Sequence, residues 1–280
     1  MDTRVASEAP IRSKAEPRGH IHIAGVEKVF STAAGDIVAL KGIDLDIAPG
    51  ELVCLLGPSG CGKSTLLNAI AGFSPPSAGT IEVAGAPVIR PGPDRGMVFQ
   101  EYALFPWMSV ARNIAFGLEI KGLPRGDIEA RVVSLLDMLG LTDFRDRFPK
   151  DLSGGMRQRV AIARVLALDP PIMLMDEPFG ALDALTRRTL QDELLRIWEA
   201  LGKTIVFVTH SIDEAIYLGS RLVVMTYRPD TIKRDMAIGL ARPRDPSDAA
   251  FNAIRKELGL LVMQEQQRFS DDERKGAARD

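Results

Sequence analysis

The chain has 280 residues, 46% hydrophobic and 26% charged, enough for one large domain or two small ones with a sizeable core. A formal net charge of −2 argues against wholesale nucleic-acid binding, which shows as a basic excess or stripe. No apolar run is long enough to span a bilayer, "MDTRVASEAP" lacks a secretory core, and Cys54 and Cys61 are too few for a disulfide framework. The expectation is a cytosolic protein, acting as a peripheral subunit if it works at a membrane.

Residues 1–19 are polar and are expected to be disordered. Strand signals follow at Ile21–Phe30, at Ile37–Ile47 with its alternating "IDLDI", and at the apolar run Leu52–Leu56. His20 and His22 are read as structural. The last run opens into "GPSGCGKST": Gly57, Pro58, Ser59, Gly60, Cys61, Gly62, Lys63, Ser64 and Thr65. Strand, G-x-x-x-x-G-K-[ST] loop and helical pattern form a phosphate loop, in which glycines let backbone N–H groups fold round the phosphates. Lys63 is placed to reach the β/γ oxygens and Ser64 to ligate Mg²⁺. Cys61 contributes an amide, not a thiol.

Further strands are expected in "TIEVAG" (80–85) and "RGMVFQ" (95–100). Gln100 ends the second, and its neutral amide can accept from water and ligate metal, which suits a γ-phosphate sensor; alone, the same residue could be unremarkable. From 108 to 168 the strand signal stops. Ile128, Val132, Leu135, Leu136 and Leu139 recur at helical spacing, with Gly140 as a C-terminal stop. In "DLSGGMRQRVAIARVL" Ser153 is a good N-cap, yet Gly154 and Gly155 each disfavour helix by about 1 kcal/mol against alanine. A first turn stripped of side chains lets an anion approach bare amides at the positive end of the dipole.

The buried strand "IMLMD" (172–176) ends in Asp176, a candidate for the Mg²⁺ shell, followed by Glu177, whose carboxylate suits a general base toward an attacking water. An acidic pair capping the turn before Pro178 is the plainer alternative. A helix is expected over Ala184–Leu201, a strand over "TIVFVT" (204–209), then a helix opened by a capping box of Ser211 and Glu214. His210 ends the strand and faces the crevice where open α/β sheets bind ligands, or is structural. Alternating strands and helices imply a mostly parallel sheet covered on both faces. Residues 268–280 look like a solvated tail.

Together "GPSGCGKST", "FQ", "LSGGMRQR", "LMDEP", "ALD" (Ala181–Asp183) and "VTH", in this order over residues 21–225, resemble the ATP-binding subunits of ABC transporters. The resemblance implies an α/β P-loop NTPase (RecA-like) fold: a mostly parallel core, an N-terminal antiparallel β subdomain, and an α-helical subdomain inserted over about 101–165. It implies an ATPase domain over 20–262 and a flexible charged tail over 263–280. ATP and Mg²⁺ are the implied cofactors, and Glu177, His210, Gln100 and Lys63 the implied catalytic groups. Two subunits pair head to tail in this family, so Ser153, Gly154 and Gly155 would cap the γ-phosphate held by a partner. Asp183 would sit at the dimer seam, and Phe30 would stack on adenine or be a core aromatic. Met156 departs from the family's commoner glutamine.

One ATPase domain without a membrane span is typical of importers built from separate subunits. Tyr102–Met108, with Leu104, Phe105, Trp107 and Met108 as core or groove, lies where the family receives a coupling helix from an integral membrane permease. "FPW", "MDEPFGALDALTR", "VTHSIDEAIYLGSRLVVM" and "ARPRDP" resemble the nitrate/sulfonate/taurine branch, which implies a periplasmic or lipid-anchored solute-binding protein as an indirect partner, no nucleic acid, and a place on the cytoplasmic side of the inner membrane. The rival class is an ATP-driven switch on protein or nucleic acid, but neither the coiled coils of the repair members nor a second ATPase domain appears. A P-loop kinase or GTPase has no use for "LSGG".

Overall fold

The computed structural model describes residues 18–33, 35–227 and 231–277. A four-stranded antiparallel sheet comes first: β1 (Ile21–Thr32), β2 (Gly35–Ile47), β4 (Ala78–Val83) and β5 (Ala86–Pro87), in the order β2-β1-β4-β5. The second sheet holds β3 (Leu52–Leu56), β6 (Arg95–Val98), β7 (Ile172–Asp176), β8 (Thr204–Thr209), β9 (Arg221–Met225) and β10 (Ile232–Ala237). Its order is β10-β9-β3-β8-β7-β6, parallel throughout except for the antiparallel edge strand β10. Helices α1 (Lys63–Ala71), α5 (Ala184–Leu201) and α6 (Ile212–Leu218) connect strands of this sheet, and α7 (Ala249–Ala277) ends the chain. Between β6 and β7 lies the helical insert: α2 (Val110–Ile120), α3 (Arg125–Met138) and α4 (Gly154–Ala167).

The central strands are apolar along their whole length because both of their faces are covered. Side chains alternate across the sheet, so one strand feeds two cores. Leu52, Cys54, Leu56, Met173, Met175, Ile205 and Phe207 join the core of the larger helices, α2 to α7. Val53, Leu55, Leu174, Val206 and Val208 turn the other way, onto α1 and the antiparallel sheet. Each fully buried side chain of this size stabilises the fold by about 1.5–3 kcal/mol.

Sequence pattern and structure part at the two ends. Most of the segment expected to be disordered lies outside the described residues, but Gly19 is ordered, its carbonyl accepting from Thr204 Oγ1 at 2.8 Å. The flexible tail expected from 263 is instead helix, since α7 continues to Ala277. Phe251, Ile254, Leu258, Val262, Glu265 and Phe269 share one face, and Glu265 is fully buried, accepting from Tyr227 N (3.0 Å) and Lys233 Nζ (2.6 Å). A carboxylate at an apolar-face position hid the periodicity.

Candidate active site

The phosphate loop runs from the end of β3 into α1. Gly60 and Gly62 have φ of 77° and 80°, which glycine adopts without strain. Gly57 is required for a different reason: a Cβ there would meet Cys61 Sγ at 2.6 Å and Met225 O at 3.0 Å. Lys63 Nζ folds back over the loop and donates to the carbonyls of Gly57 and Pro58, both at 2.8 Å. Cys61 is buried, with its sulfur beside the Gly57 Cβ position and 3.7 Å from Lys63 Nζ.

The parallel sheet brings β7 and β8 to the same edge. Ser64 Oγ donates to Asp176 Oδ1 at 2.9 Å, so the two residues read as Mg²⁺ ligands adjoin. Burial pushes the Asp176 carboxyl above the ordinary range, the Ser64 bond opposes the shift, and the neighbouring Glu177 adds to it. Glu177 sits at φ 43°, anchored by its N–H on Val208 O (3.1 Å), and its Oε2 lies 3.0 Å from His210 Nδ1. The Cβ position of Gly180 lies 3.9 Å from Glu177 Oε2 and 4.0 Å from Gln100 Nε2, so the amide and carboxylate flank one point. Glu177, His210 and Gln100 are thus brought together, Lys63, Ser64 and Asp176 beside them.

A cavity of about 270 Å³ opens over the loop, walled by Ile37, Val38 and Ala39 of β2, by Ser59, Gly60 and the run Gly62 to Thr65, and by Glu177. The β2 wall was not singled out from sequence, where its residues read only as strand. Phe30 pairs with Ile37 across β1 and β2, is 42% exposed, and carries Lys28 Nζ at 5.1 Å from its ring centroid. The alternative of a core aromatic is therefore set aside.

Ser153, Gly154, Gly155 and Asp183 lie away from that cavity's lining. Ser153 caps α4, its Oγ accepting from Met156 N at 3.3 Å. Gly155 is buried, and a Cβ would meet Thr186 Cγ2 at 2.6 Å, so its glycine is demanded by the packing of α4 on α5. At Gly154 a Cβ would meet Leu182 Cδ2 at 3.1 Å, a tight contact but a looser one than that at Gly155. Asp183 caps α5, and the N–H of Thr186 on its Oδ1 (3.0 Å) holds the carboxyl below its usual range.

The family model described as "ABC transporter" matches residues 40–180. The chain belongs to the ABC transporter ATP-binding family. Among ABC relatives, the nitrate import ATP-binding protein NrtD of Synechocystis sp. is 48% identical over 85% of this chain and 90% of its own. The taurine import ATP-binding protein TauB of Jannaschia sp. is 48% identical over 83% and 86%. An ATP-binding cassette solved as a post-hydrolysis dimer with ADP and Pi has a TM-score of 0.71 and 33% identity, over 79% of this chain and 100% of that one. This ABC subunit binds and hydrolyses ATP, on a P-loop NTPase fold.

Proposed function

We propose that this chain drives an importer for a small anion or sulfonate-like solute through a separate membrane permease. The observation carrying the chemistry is the convergence of the Ser64–Asp176 and Glu177–His210 pairs beside the phosphate loop. Glu177 takes a proton from the attacking water as its oxygen bonds to the γ-phosphorus and the bond to ADP breaks. Lys63 and the loop amides hold the β/γ oxygens. His210 orients the Glu177 carboxylate, and Gln100 faces the same point. The donor set suits Mg²⁺, a hard cation that takes oxygen ligands: the Ser64 hydroxyl, the Asp176 carboxylate and the Gln100 amide oxygen would hold it. When bound, it neutralises charge on the phosphates.

The proposal extends to a head-to-tail homodimer, in which Ser153 and Gly154 cap a partner's phosphate and Asp183 lies at the seam. The displacement of these residues from their own chain's cavity supports it, as does the dimeric state of the structural neighbour. Phe30 stacks on adenine beside the β2 wall. The permease docks in a groove of about 570 Å³ lined by Phe99, Phe105, Phe116, Ile120 and Arg164. Phe105 packs on Phe116 at 4.5 Å, Leu104 turns toward the core, and Trp107 stands 69% exposed beside them. No helix among the described residues is long and apolar enough to cross a membrane. The subunit sits on the cytoplasmic face of the inner membrane through its permease, a reading supported by its likeness to import ATP-binding proteins, and a solute-binding protein acts on the far side. The ATPase domain begins near residue 20 and includes α7, and the import roles for which NrtD and TauB are named support the solute class.

The test is Glu177→Gln. The amide keeps the shape and loses the proton acceptor, so ATP binding persists while hydrolysis falls by about 10²-fold or more. A variant that hydrolyses ATP at the wild-type rate removes Glu177 as the base. Co-purification with a polytopic membrane protein, then uptake of labelled nitrate and taurine by cells with and without the gene, tests the transport reading.

A further inference from the structure

Glu214 carries the capping-box pattern, but its side chain does not complete the box. Ser211 Oγ accepts from Glu214 N at 3.3 Å, while Ser211 N donates to Thr209 Oγ1 at 3.0 Å. The Glu214 carboxylate accepts from Thr209 Oγ1 at 2.5 Å through Oε2 and from Gln191 Nε2 at 2.9 Å through Oε1. Thr209, Ser211 and Glu214 thus close a ring of hydrogen bonds that brackets His210 along the chain. Glu214 and Gln191 are 7% and 6% exposed and Thr209 is 1% exposed, so the carboxylate and both of its side-chain partners are buried, and Gln191 ties it to α5. Burial raises the Glu214 carboxyl above its ordinary range, and the hydrogen bonds from Thr209 and Gln191 oppose the shift. A carboxylate is costly to bury unless something requires it. A cavity of about 30 Å³, room for about one water, counts Glu214, Thr209, Glu177 and His210 among its lining residues.

We infer that Glu214 is a positioning residue for ATP hydrolysis, fixing His210 against Glu177 through the hydroxyl of Thr209. It touches neither nucleotide nor the reacting atoms. The inference rests on the reading of Glu177 as base and His210 as its partner. What the ring needs is acceptor geometry toward Thr209, so glutamine at 214 serves, with the Gln191 amide turned to accept from it. Alanine does not serve, nor does valine at 209, which keeps the shape and strand preference of threonine without the hydroxyl.

The experiment is a double-mutant cycle on the full chain, reading kcat and, separately, ATP affinity by fluorescent-nucleotide titration. Glu214→Ala and Thr209→Val should each lower kcat about tenfold or more with ATP affinity unchanged, because a misplaced catalytic group loses rate without losing binding. Glu214→Gln and Thr209→Ser should keep most of the rate. In a His210→Ala background, Glu214→Ala should cost nothing further. If His210→Ala is slow and Glu214→Ala costs the same factor in both backgrounds, Glu214 acts independently of His210 and the inference fails while the site reading stands. If His210→Ala hydrolyses ATP normally, the reading of His210 fails and the inference with it. Wild-type kcat in Thr209→Val also overturns it.

Discussion

Asp176 illustrates a residue kept for chemistry at a cost to the fold. Its carboxyl is raised by burial and by Glu177. A carboxyl whose folded value lies above its unfolded value opposes folding once ionised, so its contribution worsens as pH rises from the unfolded through the folded value. Asp176→Asn should therefore raise Tm at pH 8 in nucleotide-free protein, with the gain shrinking as pH falls toward the carboxylate range. The same variant should lose Mg²⁺-dependent turnover. A lower Tm at pH 8 in thermal denaturation would contradict the assignment of that strain. Asp176, Glu177, Lys63 and Ser64 were legible because each sits at a fixed offset from an apolar strand. Glu214 was legible only as a helix cap: sequence shows a side chain's neighbours along the chain, and its partners Thr209 and Gln191 reach it through the β8–α6 turn and from α5.

Boundaries of β3, β7, β8 and α5 follow from apolar periodicity and match the expected spans. What periodicity cannot supply is the reason for a residue inside an element. Gly155 looks like an opening for an anion, yet its hydrogen points at Thr186 of α5. Gly155→Ala should destabilise the protein by about 1–3 kcal/mol through overpacking, despite alanine's better helix propensity. Adding Thr186→Ser removes the Cγ2 that the new methyl meets and should recover most of the loss in urea unfolding. "ARPRDP", quoted as a mark of one importer branch, has a structural task of its own. Arg244, 5% exposed, donates to the carbonyls of Ile216 and Gly219, and Arg242 to Tyr217 O, so the two cations close the C-terminal end of α6.

Two copies are needed if the α4 N-terminus serves a phosphate that its own chain does not hold. The discriminating variant is Ser153→Asp. Aspartate caps a helix as well as serine, so α4 stays intact, but a carboxylate now faces the incoming phosphate. The variant should bind ATP as a monomer with wild-type affinity and lose ATP-driven pairing, seen by size-exclusion chromatography. Mixed with excess Lys63→Ala chains, themselves inactive, it should regain part of its hydrolysis, since one composite site then combines an intact loop with an intact cap. A Ser153→Asp monomer unable to bind ATP would show that the cap serves its own chain. The parallel sheet and its helical insert were legible from the alternation and order of elements, while the separate antiparallel sheet came only with the family resemblance. The C-terminal helix was not, because its inward face carries Glu265, whose partners Tyr227 and Lys233 flank the β9–β10 connection.

That helix also reaches the nucleotide loop. Phe269 stands edge-on to Tyr227, ring centroids 5.0 Å apart, and both rings lie 3.9 Å from the Cβ position of Gly60. Gly60 leaves the ribosome well before Phe269. A nascent chain thus carries every phosphate-binding residue long before the loop has its aromatic backing, and the mature loop waits for α7 to emerge. A message truncated before the Glu265 codon would yield a protein with all its signature motifs and an unbacked loop, a defect that motif inspection alone would pass over.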